Sequence, residues 1–253
     1  MTATMMVELC AISLLAGVMI GCIGIGGVIL VPALYYLEGI QIHTAIAAAM
    51  LAYLVSGAIG TFAFWRRGSV EWNMAAPLWL GAMPAALIGA LISEQAPAHA
   101  LEFMIGLLTA GSGLQSLLIS TPGAVSADRS LAPLHLAGIG SVTGFASALS
   151  GTGGPLVLVP ILLWWKLPVL TAIGLAQAIQ LPIALLATAG NVINGTIDLM
   201  LGANLAAGLA LGTWAGARVA HAAPRARLKQ LIGFVLIIAG ALILYKVFRG
   251  NFP

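Results

Sequence analysis

The chain is poor in charge. Only 7% of its 253 residues are charged, with 10 Lys and Arg against 7 Asp and Glu, whereas a soluble domain carries roughly 25%. This composition excludes an ordinary water-facing surface over most of the chain, and the net charge of +3 is too small to indicate a nucleic-acid partner. Because 61% of the residues are hydrophobic and the mean hydropathy is +1.08, we expect lipid to surround most of the protein.

The residue patterns of enzymes and metal sites are also missing. The two cysteines, Cys10 and Cys22, fit no metal-ligand spacing and lie on one apolar segment, so we do not expect them to pair. There is no histidine cluster, paired-carboxylate constellation, nucleophile elbow or phosphate-loop lysine. We therefore predict that the protein is not an enzyme and uses neither a metal nor another cofactor. The N-terminus shows no pattern of a cleaved signal peptide.

Glycine, by contrast, is plentiful, and the chain nearly repeats itself around it. GIGGVILVP at 24–32 reappears as GTGGPLVLVP at 151–160, with the first glycine 127 residues further on. We predict two tandem repeats, 1–119 and 131–253, joined by a loop at 120–130 within one membrane domain. Further pairs at this offset are Thr44 and Thr171, Gly68 and Gly195, Glu71 and Asp198, and Gly81 and Gly208.

Each repeat contains four hydrophobic blocks, and the first block of each is too long for one straight membrane span. The second of these blocks, Ser130–Trp165, contains no charged residue. As one helix it would be about 54 Å long, whereas the hydrocarbon core of a bilayer is about 30 Å thick. Both long blocks contain the glycine motif, which an ordinary helix does not continue. The sequence thus predicts an all-α polytopic membrane protein whose first block is broken in each repeat.

The positions of Lys and Arg favour a long block that enters the membrane and returns. If each long block crosses once, the ten cations divide evenly between the two faces; if it returns, eight share one face, as cytoplasmic loops prefer. Each repeat then makes five passages, which predicts inverted repeats with both termini outside the cytoplasm. The eight are Arg66, Arg67, Arg129, Lys166, Arg218, Arg225, Arg227 and Lys229.

The two glycine motifs are the candidate binding site. A helix that begins after each motif presents free N–H groups and a positive partial charge, which suit an anion. Two such ends could converge on one small anionic substrate, although small residues also serve close helix packing. The candidate residues at the breaks are Gly24, Ile25, Gly26, Gly27, Ser150, Gly151, Thr152, Gly153 and Gly154. The serine and threonine hydroxyls could instead bond back to their own helix.

A polar face follows in the second block of each repeat. Gln177 and Gln180 are three residues apart on one helix face, and their counterparts at the repeat offset are Met50 and Tyr53. Amides are costly in hydrocarbon, so they line a pathway or join helices. We add Ser56, Tyr53 and Asn191 to the candidate substrate-binding set. The symmetry partners Glu71 and Asp198 are interpreted as helix-start residues, with proton coupling as the alternative.

At these residues the chain resembles the TauE/SafE family of membrane permeases. The resemblance rests on GIGGVILVPAL at 24–34, GTGGPLVLVPIL at 151–162, RRGSVEW at 66–72 and NGTIDL at 194–199, and it covers nearly the whole chain. It implies transport of sulfur-containing anions such as sulfite or organosulfonates. The chain departs from many members by lacking a Gly-Thr-Ser step near residue 48 or 175, so its substrate could differ.

We therefore predict a secondary transporter that moves a small sulfur-containing anion by alternating access. The protein is expected to be a multi-pass component of the bacterial inner membrane, with a homodimer as one possible state. The alternatives are a channel-like anion facilitator and a non-transport membrane scaffold.

Overall fold

Ten α-helices build the part of the chain that the computed structural model describes, which is residues 3–118, 132–222 and 225–250. No strand occurs within those ranges. The predicted loop at 120–130 lies outside the described residues, so the repeat bounds remain a prediction. The helices are α1 Ala3–Ile23, α2 Gly27–Tyr36, α3 Ile42–Trp65, α4 Trp72–Ser93, α5 Ala98–Leu118, α6 Pro133–Ser150, α7 Pro155–Trp164, α8 Val169–Ile193, α9 Leu199–Ala222 and α10 Arg225–Gly250.

Five of these helices are long and apolar enough to cross a membrane, namely α1, α3, α4, α8 and α9. Their outward surfaces are apolar as well, with side chains such as Leu80, Leu211 and Phe62 exposed. A soluble protein would not leave so many large apolar side chains uncovered. The structure therefore agrees with the predicted all-α polytopic membrane fold.

Each half opens with a long helix followed by a short one. α1 has 21 residues and α2 only 10, while α6 has 18 and α7 again 10. A helix of 10 residues extends about 15 Å, roughly half of a membrane span. The interruptions fall at residues 24–26 and 151–154, so the predicted break in the first block of each half is observed.

The first helix of each half packs on the fourth helix of the other half. Gly17 of α1 faces Leu209 of α9, and Gly21 faces Thr213, four residues further along both helices. In the same way α6 lies along α4, with Gly140 against Leu78 and Gly144 against Ala82. In both pairs the contacts advance together along the chain, so the paired helices run parallel. The two halves are therefore interleaved.

The third and fifth helices of the two halves meet in antiparallel pairs. Gly57 of α3 faces Leu181 of α8, while Gly60, later in α3, faces the earlier Gln177. α5 and α10 cross in the same sense, because Gly106 lies against Leu244 and Gly113 against Ile237. Helix α3 also runs parallel to α9, and α4 to α8. Consequently α1, α3 and α9 point one way across the bundle, and α4, α6 and α8 point the other way.

These directions require the chain to double back after α1. Since α1 and α3 point the same way, the segment between them must return to the side where α1 began. Glu38, in the turn after α2, accordingly lies near Glu8 at the start of α1, and burial together with repulsion by Glu8 raises the pKa of Glu38. Helices related by the repeat offset, such as α3 and α8, run in opposite directions. The inverted repeat itself stays a prediction.

Close helix packing depends on glycines at the interleaved pairs. A Cβ added to Gly144 of α6 would lie 2.3 Å from the carbonyl oxygen of Ala82 in α4. Gly138, six residues earlier in α6, has no atom within 4 Å of the corresponding position. Helix α6 thus contains one glycine that is needed for close contact with the backbone of α4 and another that faces open space.

We predict that Gly144→Ala destabilises the protein by about 1–3 kcal/mol, because the added methyl group forces α4 and α6 apart. The matched change Gly138→Ala should be neutral or raise stability by up to about 1 kcal/mol, since alanine favours helix. Thermal unfolding of the purified protein in detergent measures both. Equal melting temperatures for the two variants would contradict the close approach of α4 and α6.

Candidate anion-binding site

The first break leaves backbone donors free inside the bundle. α1 ends at Ile23, where Gly24 adopts a φ of +78° that side chains rarely tolerate. The N–H of Gly24 still bonds the carbonyl of Ile20 at 2.8 Å. The N–H groups of Gly27 and Val28, at the start of α2, make no hydrogen bond to any described residue. These are the donors that a helix start exposes.

The second break has the same form with more glycine. Gly153 and Gly154 adopt φ values of +80° and +107°, which turn the chain between α6 and α7. Pro155 then begins α7 at a position where its missing N–H costs nothing. The next N–H, that of Leu156, has no bonding partner within the described ranges.

The two breaks touch each other. A Cβ on Gly24 would lie 3.3 Å from Cβ of Pro155, and one on Gly27 would lie 2.3 Å from the carbonyl oxygen of Thr152. The side chains of Ile25, Val28 and Leu156 form a small cluster of their own. The first residues of α2 and α7 therefore lie close together, which places the positive ends of the two helices near each other.

Hydroxyl groups surround the second break. The Ser150 hydroxyl donates to the carbonyl of Ala146 at 2.7 Å and pairs with the Thr152 hydroxyl at 2.9 Å. Ser147 Oγ, which is fully buried, has no partner among the described residues and lies 3.9 Å from the Cβ position of Gly154. Thr143 Oγ1, one turn earlier, is equally buried and unpaired. The second break thus offers polar side chains with unused hydrogen-bonding capacity.

The amide face of α8 joins neighbouring helices. Gln177 Nε2 donates to the carbonyl of Ile20 at 2.7 Å, in the last turn of α1. Gln180 Nε2 donates to Ser56 Oγ at 3.4 Å, and Ser56 in turn pairs with Thr213 of α9 at 2.8 Å. Both amide oxygens remain buried and unpaired in the described structure. One hydrogen of each amide is therefore committed to a neighbouring helix.

Tyr53 contacts both breaks. Its hydroxyl donates to the carbonyl of Gly27 at 3.1 Å, and its ring lies 3.0 Å from the Cβ position of Gly153. The side chain is fully buried, with 0% exposure. Tyr53 occupies the position that Gln180 holds in the other half, so both counterparts serve as links between helices.

The structure separates one predicted site residue from the rest. Asn191 lies eleven residues beyond Gln180 in α8, about 16 Å along the helix. The side-chain nitrogen Nδ2 of Asn191 is buried and unpaired among the described residues. The backbone carbonyl of Asn191 accepts a hydrogen bond from the Thr196 hydroxyl at the end of the helix. We therefore place Asn191 outside the group of residues at the breaks.

Four residues with buried hydroxyl groups near the breaks and the amide face were not among the predicted site residues, namely Ser147, Thr143, Thr213 and Thr61. Thr213 is fully buried and pairs with Ser56, and Thr61 donates to the carbonyl of Gln177 at 3.0 Å. A hydroxyl group in an apolar helix is a sequence signal for a buried polar role. Only the packing of the helices shows which of these hydroxyls point into the bundle. Asp198, interpreted as a helix-start residue, accepts the N–H of Leu201 at 2.9 Å in that role.

The long apolar helices and their paired interruptions are those of a multi-pass integral membrane protein. The family model of the sulfite exporter TauE/SafE matches residues 9–243. The chain therefore belongs to the TauE/SafE family, whose members are membrane transporters and not enzymes.

Curated relatives carry the same description. A "Probable membrane transporter protein YdhB" of Bacillus subtilis is 26% identical over 91% of this chain and 97% of its own length. A "Probable membrane transporter protein" of Xylella fastidiosa is 28% identical over 93% of this chain and 92% of its own. No solved structure matches. These bacterial relatives agree with the predicted inner-membrane location.

We predict that Tyr53→Phe lowers the free energy of unfolding by about 1 kcal/mol, because the hydroxyl's bond to Gly27 is lost while the ring is kept. In a protein of this size that corresponds to a fall of roughly 2–4 °C in the melting temperature. Tyr245→Phe, at an exposed position on α10, is the matched control and should melt with the wild type. A Tyr53→Phe variant that melts at the same temperature as the control would show that the hydrogen bond between Tyr53 and Gly27 does not stabilise the protein.

Proposed function

We propose that the protein moves a small sulfur-containing anion, such as sulfite or an organosulfonate, which binds where the two breaks meet. The observation that carries this proposal is the set of free backbone donors there, on Gly27, Val28 and Leu156, in contact with each other's helices. Unpaired N–H groups cost several kcal/mol inside a membrane unless they line a cavity or bind something. An oxyanion supplies the missing acceptors and the negative charge that two helix starts favour.

The neutral donors around the breaks support an anion that must also leave. Ser147 and Thr152 offer hydroxyls, and neither break carries a Lys or Arg. A fixed cation would hold the anion more tightly in the low-dielectric interior than dipoles do. The arrangement suits transient binding of a small tetrahedral or pyramidal oxyanion better than permanent capture.

We further propose that alternating access moves two mixed bundles and not the two sequence halves. α1 packs on α9, and α6 packs on α4, so each half is locked to the other along these parallel pairs. The rocking bodies would then be α1, α3 and α9 on one side and α4, α6 and α8 on the other. Their contact between α3 and α8 passes beside the breaks through Gln177 and Gln180.

We predict that sulfite raises the melting temperature of the purified protein, since a ligand that binds only the folded state stabilises it by mass action. Sulfate, thiosulfate, taurine, sulfoacetate and a carboxylate complete the panel. Ser147→Ala and Thr152→Val should weaken binding about 10- to 100-fold, the cost of one hydrogen bond to a charged group.

Ser93→Ala is the matched control for this measurement. Ser93 is buried in the last turn of α4, and its hydroxyl donates to the carbonyl of Ala90 in its own helix at 2.7 Å. Asn194, at the end of α8, bonds the same carbonyl. Loss of the Ser93 hydroxyl should leave the ligand-induced shift intact. A sulfite shift that survives both Ser147→Ala and Thr152→Val, or that Ser93→Ala abolishes equally, would contradict the proposed site.

Transport in proteoliposomes separates the alternatives. A secondary transporter should saturate and drive counterflow of labelled anion against an unlabelled gradient. A channel-like facilitator would give anion currents without counterflow. A membrane scaffold would give neither, and in that case the variants at the breaks would change stability alone.

A further inference from the structure

A cleft of about 860 Å³ opens between α3 and α9 at one end of the bundle. Arginines surround it, and none of the described residues that line it is acidic. It lies on the side where α3 and α9 end. The residues around the cleft include Arg66, Arg67, Arg218, Phe62, Leu211 and Trp214.

The three arginines are held in place without an ionic partner. Arg67 Nη1 donates to the carbonyl of Ala217 at 2.9 Å, while the guanidinium of Arg218 lies 3.5 Å from the centre of the Trp214 ring. Arg66 lies 5.6 Å from the centre of the Phe62 ring. None of them forms an ion pair within the described part of the chain. Because guanidinium groups stay charged, the cleft carries three uncompensated positive charges.

The fold itself does not require these charges. At the repeat offset of 127 residues, Arg67 corresponds to Asn194 and Ala217 to Ala90, and Asn194 Nδ2 donates to the carbonyl of Ala90 at 3.0 Å. The same helix-to-helix bond thus forms at the opposite end of the bundle from a neutral side chain. The counterparts of Arg66 and Arg218 there are Ile193 and Leu91.

The wall of the cleft is apolar and faces outward. Phe62, Leu211 and Trp214 are 54%, 64% and 50% exposed, on helices whose outer surface meets lipid. The cleft therefore combines a charged rim with a hydrocarbon-compatible wall. Only an amphipathic anion matches both parts, because a small free anion would leave the wall uncovered.

We propose that this cleft is a binding site for an anionic phospholipid. The phosphate accepts hydrogen bonds from the guanidinium groups of Arg66 and Arg218, and the acyl chains lie along the apolar wall. Stacking on Trp214 fixes the plane of Arg218 and leaves its N–H edge for the phosphate. Anionic lipids of the cytoplasmic leaflet are recognised by basic pockets between helices, which agrees with the side predicted to be rich in Lys and Arg.

Native mass spectrometry of the full chain in detergent tests the site. The probes are phosphatidylglycerol and, with the same acyl chains, zwitterionic phosphatidylcholine. The wild type should retain phosphatidylglycerol preferentially. The double variant Arg66→Gln with Arg218→Gln should bind it roughly 30-fold more weakly, about fivefold for each arginine lost near a lipid surface. Lys166→Gln removes a charge from the same side outside the cleft and should bind as the wild type does.

A second variant keeps every charge and fills the space. Ala58 is exposed and lines the cleft, so Ala58→Trp should reduce phosphatidylglycerol retention without altering the arginines. If the double arginine variant does not fold, Ala58→Trp tests whether the cleft binds the lipid. Size-exclusion elution and unliganded melting temperature report the fold of each variant.

Several outcomes would overturn the proposal. Equal retention of the two lipids, wild-type binding by both cleft variants, or an equal loss in Lys166→Gln would remove the assigned site. Displacement of phosphatidylglycerol by an equal concentration of glycerol 3-phosphate would show a site for a small free anion instead. Lipid found only on a species of two copies, and lost with it, would assign the cleft to an interface between copies.

Discussion

Interrupting a helix inside hydrocarbon is the constraint around which the bundle is built. A broken helix exposes N–H groups that water cannot reach, so the protein itself must shield them or leave them for a ligand. Here each interruption is covered by the other: Gly24 lies against Pro155, and Gly27 against Thr152. Side chains from α3 and α8 then fix the surroundings, with Tyr53 on one break and Gln177 on the end of α1. The N–H groups of Gly27, Val28 and Leu156 remain without a partner among the described residues.

Interleaving of the two halves follows from the same need. A single half could not cover its own break, because α2 and α7 are each too short to span the membrane. Packing α1 on α9 and α6 on α4 brings both breaks into one centre and makes the halves inseparable. Glycines at these contacts let backbones approach closely, which substitutes for the hydrophobic driving force that helices lack in lipid. Alternating access, as we propose it, would therefore move the mixed bundles and not the two sequence halves.

Much of this architecture was predictable, and the reason differs between features. Low charge and long apolar blocks set the membrane class, since lipid tolerates little else. The offset of 127 residues located both breaks, because glycine and proline act locally on the helix and need no tertiary context. The set of site residues was less predictable. Asn191 has the same amide chemistry as Gln180 but lies further along α8. The Thr213 hydroxyl pairs with that of Ser56 across a contact between two helices that no local sequence pattern predicts.

The sequence by itself determined the membrane environment, the paired interruptions and the excess of cations predicted for one face. These properties depend on composition and on local backbone preference. Tertiary structure alone decided which helices of one half pack on helices of the other half. It also decided which groups Gln177 and Gln180 bond, and that three arginines line one cleft. In hydrocarbon nearly every helix is apolar on all sides, so periodicity does not mark the packed face. Contact geometry, set by glycines and by partners for buried polar groups, makes that choice.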